Sequence, residues 1–492
     1  MGEVLRRLVS KTAEKAISQK AANFFAPFQV GVGVKGGCEA LVHTARAIFD
    51  SQDEDTLLMQ VDLINAFNLA DRKRTSMEVQ EHFPELSHIM ASCYGIPARL
   101  LFGDEVIMST TGFYQGDALA SLFFSLDLHP VVLKINKEVP DLVMNSWEMD
   151  DGLLGGSKAD IVKAVEILLL VGPERGLHLS TETSVPGNSK SRVWSPVQSI
   201  RDSLDPLGLG IKPITEDGFI HLGAPIGPET YVQGFLSKQV EKVGTLSQKL
   251  FTLQQPYAEF VLLRSCYALP KVGYLLRFCP PSPSSLFHWK RFDQMIRNTL
   301  NDIIGTSLSD QAWHQAQLSV VKGGLGLRGA ETTAAAAFIS SVALSLPLIH
   351  QLINGIEDPP LSTAAALEHL SVLMGLEETC TMESLSGSMQ KSLCNSIENL
   401  QHEALTQTFT STRDKARMSS LGIKHAGDWL NVVPNPSLGL LLRAQEFRSA
   451  VMYRLGVPMF QREGPCVACG QDMETMPLHV HQGGSTLQGT TI

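Results

Sequence analysis

Residues 145–156 read NSWEMDDGLLGG. Asp150 and Asp151 stand side by side between an apolar approach, with Trp147 and Met149, and an apolar exit, Leu153 and Leu154, that ends in paired glycines. Neighbouring side chains of an extended strand point to opposite faces, so both aspartates can serve one site only at a turn between two strands. An apolar arm, two acids, a glycine and a second apolar arm have that shape. A third acid, Asp62, ends another apolar run of strand length, TLLMQVDL (56–63). If those strands are neighbours in one sheet, three carboxylates converge and cations must offset their repulsion. Hard divalent ions suit this role, and Mg²⁺ keeps waters and substrate phosphates in its shell. Two such ions, about 3.5–4 Å apart, serve phosphoryl transfer. The competing reading is a plain surface turn, a common use of Asp-Asp-Gly.

The whole chain sets bounds on these readings. It has 492 residues, 44% hydrophobic and 18% charged, enough for a sizeable core and more than one domain. The opening MGEVLRRLVSKTAEKAISQK has no continuous apolar segment, so no signal peptide is expected and the expected location is intracellular, nuclear or cytoplasmic. Eight scattered cysteines, only Cys466 and Cys469 closely paired, argue for reduced thiols rather than a disulfide framework. TTAAAAFISSVALSLPLI (332–349) is read as a buried helix, and no membrane span is expected.

The net charge is −10, yet the charges are segregated. Residues 1–50 carry seven Lys/Arg against four acids, and residues 238–297 carry nine against three. Residues 331–403 reverse this, with nine acids against Lys391 alone. A basic surface on an acidic chain permits phosphate contacts, although a solvated helix face explains a basic run equally well.

Local pattern supplies the elements. Helices are expected up to FFAPFQVGVGVKGG (24–37), a loop or strand edge, and NAFNLADRKRTSMEVQEHF (65–83) reads as a turn into an amphipathic helix. Gly103-Asp104 between apolar runs signals a hairpin. SLFFSLDLHPVVLKINKEV (121–139) reads as a largely buried helix, KADIVKAVEILLLVG (158–172) as an amphipathic one, and FIHLGAPIG (219–227) as a strand entering a turn. Residues 236–345 and 346–455 look mainly helical, with PPSPSS (280–285) as a linker or turn.

The order QVDLINAFN (60–68), TGFYQGDALASLFF (111–124), WEMDDG (147–152), GLHL (176–179) with NSKSRVW (188–194), and LGAPIG (222–227) resembles the consecutive palm motifs of reverse transcriptases. It is most similar to those of non-long-terminal-repeat retrotransposons, from about residue 2 to 330. The resemblance implies an α+β, right-hand polymerase: residual fingers (1–55), a palm on an antiparallel sheet (56–235), a helical thumb (236–345), a helical C-terminal extension (346–455) and a tail (456–492). It implies RNA-directed DNA synthesis on an RNA template and DNA primer from deoxynucleoside triphosphates. Asp62, Asp150 and Asp151 would hold two Mg²⁺ ions.

By the same resemblance Phe67 stacks beneath the nucleotide sugar, and Gln115, Gly116 and Asp117 form a loop against template base and nucleotide. Lys190 falls near the departing pyrophosphate. Leu222 and Gly223 belong to the primer grip, Lys238 and Lys242 to the thumb's phosphate contacts, and Arg6, Arg7 and Lys11 to template or triphosphate contacts. Plain alternatives stay open: core packing for Phe67, a helix-start cap for Asp117, and solvated surface charge for Lys190, Arg6, Arg7 and Lys11.

Several features depart from the family pattern. Glu148 stands where an aromatic hydroxyl residue is usual, adding a fourth carboxylate, and Ala118 replaces a proline. The chain opens inside the expected fingers, so a truncated copy is the expectation. In the tail, Cys466, Cys469, His479 and His481 form a candidate zinc ligand set, with His481 in place of a cysteine. A catalytically inactive, nucleic-acid-binding descendant and an unrelated two-metal phosphohydrolase are the competing functions.

Overall fold

The computed structural model describes residues 4–203, 208–353, 360–385, 390–459, 464–465 and 472–473. It is a mixed α+β chain of two compact units, residues 1–232 with 341–363, and residues 233–340 with 364–492.

The first unit opens with α1 (Val4–Phe25) and α2 (Gly37–Ser51). Then come β1 (Leu57–Val61), the one-turn α3 (Ala66–Leu69), α4 (Arg72–His82) and α5 (Ser87–Tyr94). β2 (Ala98–Phe102) and β3 (Glu105–Ser109) form the expected hairpin around Gly103-Asp104. α6 (Ala120–Glu138), β4 (Met144–Glu148), β5 (Asp151–Gly156) and α7 (Lys158–Val171) follow where the sequence pattern puts them, except that the turn is Met149-Asp150 rather than the two aspartates, because Asp151 pairs with Glu148 as the first residue of β5. β6 (Arg192–Trp194) and β7 (Lys212–Pro213) complete a five-stranded sheet of order β4-β5-β1-β6-β7. All its pairings are antiparallel except β6 with β7.

β1 reads as one apolar run because it is central and covered on both faces. Leu57, Met59, Val61 and Leu154 join α6 and α7 in one core cluster with Trp147. On the other face Leu58 and Ile48 of α2 both lie 3.5 Å from where a side chain on Gly155 would begin. Burial on two faces fixes the register, since a one-residue slip would exchange them. The segment FIHLGAPIG folds as a full hairpin, β8 (Phe219–His221) and β9 (Ala224–Ile226), rather than a single strand entering a turn. Leu222 and Gly223 both have positive φ, 48° and 78°, the backbone that a two-residue hairpin of matched twist requires.

The second unit is mainly helical, with one short antiparallel pair, Gly464–Pro465 with Asp472–Met473. It includes Pro256–Leu262, Leu269–Phe278, Pro283–Ile304 and Gln390–Thr408. PPSPSS is the lead into Pro283–Ile304, capped when Ser282 accepts the Ser285 N–H. The helix Ala330–Leu352 is apolar and long enough to cross a membrane, but Ala334–Ile339 are fully buried, as a core helix requires.

One glycine tests the packing behind the acid pair. A Cβ at Gly152 would stand 2.6–2.9 Å from three ring atoms of buried Trp147. Gly152→Ala is expected to cost about 1–3 kcal/mol in chemical denaturation. Gly234→Ala, with nothing within 4 Å, is expected to be neutral or mildly stabilising.

Candidate functional site

Antiparallel register assembles the acids. Val61 pairs with Gly152, so extending the ladder by one residue sets Asp62 opposite Asp151. Across the hairpin Asp151 pairs with Glu148. Opposite residues of an antiparallel ladder share a face, so Glu148, Asp151 and Asp62 form a row across three adjacent strands, at about 4.7–4.9 Å per strand. Asp150 sits in the two-residue turn beside that row.

Burial is the main cause that shifts these carboxyls, and neighbouring acids add to it at Asp150, Asp151 and Glu148. Burial first, then Asp150 and Asp62, lifts the Asp151 carboxyl to about 6. Burial followed by Asp62 raises Asp150. Burial also raises Asp62, against the pull of Lys190. Glu148 is raised by burial, with Asp151 and Asp150 adding to the shift. Lys190 Nζ is 3.7 Å from Asp62 Oδ1, with the lysine side chain 68% exposed and the aspartate 28%. The backbone of Asp62 is fixed independently. Its N–H donates to Ser191 Oγ at 3.0 Å, and its carbonyl accepts from Ser180 N–H at 2.8 Å.

The turn has a holder that sequence reading did not single out, Gln29. This 3% exposed amide accepts the Met149 N–H through Oε1 at 2.8 Å and donates from Nε2 to the Met149 carbonyl at 3.1 Å. Met149 has φ 54°, an uncommon conformation for a methionine. Around Gln29 the chain bonds to β4 as a partial strand: Val30 N–H donates to the Trp147 carbonyl and Trp147 N–H to the Phe28 carbonyl. A side chain on Gly31 would begin 2.4 Å from Glu148 Oε2, so that glycine makes room for the fourth carboxylate. The only hint in the sequence is a glutamine embedded in FFAPFQVGVGV.

Phe67 lies on α3, partly exposed, and its ring stacks on Phe124 of α6 at 4.6 Å and 17°. The segment before the Gln115 loop is bonded to the same place. Phe113 N–H donates to the Phe67 carbonyl at 2.6 Å and Gly112 N–H to the Ala70 carbonyl at 2.9 Å. Gly112 permits this approach, since a Cβ there would stand 2.3 Å from the Asn68 backbone. Gln115 and Gly116 are exposed, and Gly116 has φ 92° with open space beside it. Asp117 points inward, its side chain 5% exposed, to Arg6 at 3.0 Å and the Tyr94 hydroxyl at 2.8 Å. Arg7 and Lys11 lie exposed on α1.

Leu222 and Gly223 form the turn of the β8–β9 hairpin, which is tied to the central strand where Gln60 Nε2 donates to the Ile220 carbonyl at 2.8 Å. Arg46 donates to the Pro225 carbonyl at 3.0 Å from the other side. Lys238 and Lys242 are exposed on the helix Glu229–Gln248, in the second unit. Cys466, Cys469, His479 and His481 lie outside the described residues.

The donor chemistry of the row, all carboxylate oxygen, suits Mg²⁺ or a similar hard ion. Among the described residues, no three His, Cys, Asp or Glu side chains stand close enough to form a finished ligand cluster. Asp62, Asp150 and Asp151 share an electrostatic field, in which Asp62 acts on both members of the pair.

No protein-family model and no curated protein matches the sequence. A solved structure of telomerase from Candida albicans in complex with a TWJ fragment of telomeric RNA is similar at a TM-score of 0.37 and 10% identity, covering 86% of this chain and 58% of that one.

The raised carboxyls set a pH dependence. A carboxyl with a folded pKa above its unfolded value favours the fold most at low pH, and that contribution is lost as pH rises from the unfolded value near 3.8 through the folded one near 6. Without divalent ions, the Asp151 contribution is expected to fall from pH 4 to 6.5, and Asp151→Asn to raise Tm by about 2 °C at pH 7.5, measured by calorimetry.

Proposed function

We propose that the chain is a template-directed nucleotidyl transferase of the reverse-transcriptase type, joining deoxynucleotides to a DNA primer on an RNA template. The observation that carries this reading is the pairing of Val61 with Gly152, which brings Asp62, one residue on, to the end of the sheet where Asp150 and Asp151 lie, with Lys190 3.7 Å from Asp62. Carboxyls raised by burial and by one another at an open turn support a functional site.

In this reading Asp62, Asp150 and Asp151 hold two Mg²⁺ ions. When bound, the ions would neutralise charge at the attacking hydroxyl and the departing pyrophosphate. Lys190 stands beside Asp62 as a cationic contact for the triphosphate. Phe67, with one face on Phe124 and its edge exposed, would lie under the incoming sugar, and the exposed Gln115-Gly116 backbone against the base. Leu222 and Gly223, anchored through Gln60 to the strand that carries Asp62, would support the primer end. Lys238 and Lys242 would contact duplex phosphates, a positioning role without base readout. The second unit also holds an open groove of about 970 Å³ whose lining includes Phe287, Lys290, Arg291, Gln294 and Asn298, a set suited to backbone phosphates and an exposed base. Residual fingers (1–55), palm (56–235) and thumb (236–345) are the domain roles this assigns.

A second reading is nucleic-acid binding without catalysis. The extra carboxylate of Glu148, buried beside Asp150 and Asp151, favours it. Primer extension with Mg²⁺ separates the two. The enzyme reading expects nucleotide incorporation on a primed RNA template that falls at least about 10³-fold in Asp150→Ala, with primer–template affinity retained. Binding without incorporation by the unaltered chain is the result that favours the second reading.

A further inference from the structure

We propose that Arg6 is a positioning residue for the Gln115-Gly116-Asp117 loop, acting through Asp117; the role it positions for rests on the polymerase reading above. Arg6 lies in the first turns of α1, 111 residues from Asp117 in sequence, yet its Nη2 donates to Asp117 Oδ2 at 3.0 Å. The Tyr94 hydroxyl donates to the same oxygen at 2.8 Å, while Asp117 Oδ1 accepts the Leu119 N–H at 3.1 Å, just before α6. Burial alone would raise this carboxyl, but bonds from Tyr94, Leu119 and Arg6 hold it below the usual carboxylate range.

The guanidinium is held on its faces as well. Arg6 lies over the Tyr114 ring at 4.8 Å and the Tyr94 ring at 5.3 Å, and the two rings stack at 5.1 Å and 22°. The buried Arg72 sits 5.4 and 5.6 Å from the same rings and donates to the carbonyls of Ser109 and Gly112. Two arginines therefore fix the two ends of the segment 109–117. Between them Gln115 and Gly116 stay exposed, with open space at Gly116. Gly112 and Phe113 are buried and Tyr114 is half-buried, so the exposed part is the pair Gln115-Gly116, directly before the anchored Asp117.

This gives Arg6 a task other than gripping phosphate. A guanidinium committed to a buried carboxylate and two stacked rings can reach a phosphate only by giving up those contacts. The planar guanidinium is also what the task needs, because a lysine reproduces the charge but not the stacking on Tyr114 and Tyr94.

The test combines nucleotide kinetics with hydrogen exchange. Arg6→Ala is expected to raise KM for the incoming deoxynucleotide about tenfold while kcat stays within about twofold, with Arg6→Lys intermediate. In the Asp117→Asn background the same change is expected to add less than about twofold, because the partner is already altered. The salt dependence of primer–template binding is expected to match that of the unaltered chain. A salt slope lower by about one, or effects that multiply in the double variant, would make Arg6 a direct phosphate contact and overturn the inference. Amides of Gly116–Leu119 are expected to exchange faster in Arg6→Ala while those of β1 and β5 do not change. Unchanged exchange at 116–119 overturns the positioning role. If the unaltered chain incorporates nothing, the polymerase reading fails by itself, and the exchange result still decides whether Arg6 holds the loop.

Discussion

The antiparallel pairing of Val61 with Gly152 is the constraint on which the rest of the structure depends. It sets two acids from segments some ninety residues apart in a line and leaves a third in the adjoining turn. A slip of one residue would turn Asp62 to the other face and bury the polar side of β1. The register withstands this because both faces of the central strands are packed, Leu57, Met59 and Val61 on one side and Leu58 on the other.

The carboxylates lie at the end of the sheet. Lys190 is the salt-bridge partner of Asp62, and the acid row remains open to solvent on the side where Asp151 emerges. Behind the turn, Gln29 satisfies both backbone groups of Met149, and Gly31 clears space for Glu148. A buried unsatisfied group at such a turn would cost roughly 1–3 kcal/mol, so the glutamine holds the hairpin where repulsion would otherwise splay it. In the neighbouring loop, Arg6 and Arg72 lie over two stacked tyrosines and hold Ser109, Gly112 and Asp117, while Gln115 and Gly116 stay exposed.

Much of the first unit was legible in the sequence. β1, the β2–β3 hairpin, α6, the β4–β5 hairpin and α7 all follow from periodicity and turn residues, because each is a local pattern set by its own burial. The neighbourhood of Asp62 and the acid pair was inferred as a conditional, two strands lying side by side, and the register meets the condition. What periodicity could not show were contacts between distant segments. Gln29 reaching the Met149 turn, and Arg6 reaching Asp117, join residues more than a hundred positions apart, and neither leaves a spacing signal. FIHLGAPIG was legible as a strand but not as a hairpin, since its turn relies on a leucine at positive φ rather than the usual Asn-Gly or Asp-Gly. The regular helices of the second unit were visible as a class, yet their arrangement was not, because amphipathic helices pack in many ways with the same pattern.

The most direct test of the central claim is crystallographic, with manganese as the reporter ion. Anomalous difference maps from Mn²⁺-soaked crystals should show density within bonding distance of Asp62 and of Asp150 or Asp151, on the same side of the sheet. A map with no ion at these three carboxylates, in crystals whose Asp62 and Asp151 remain solvent-accessible, would contradict it.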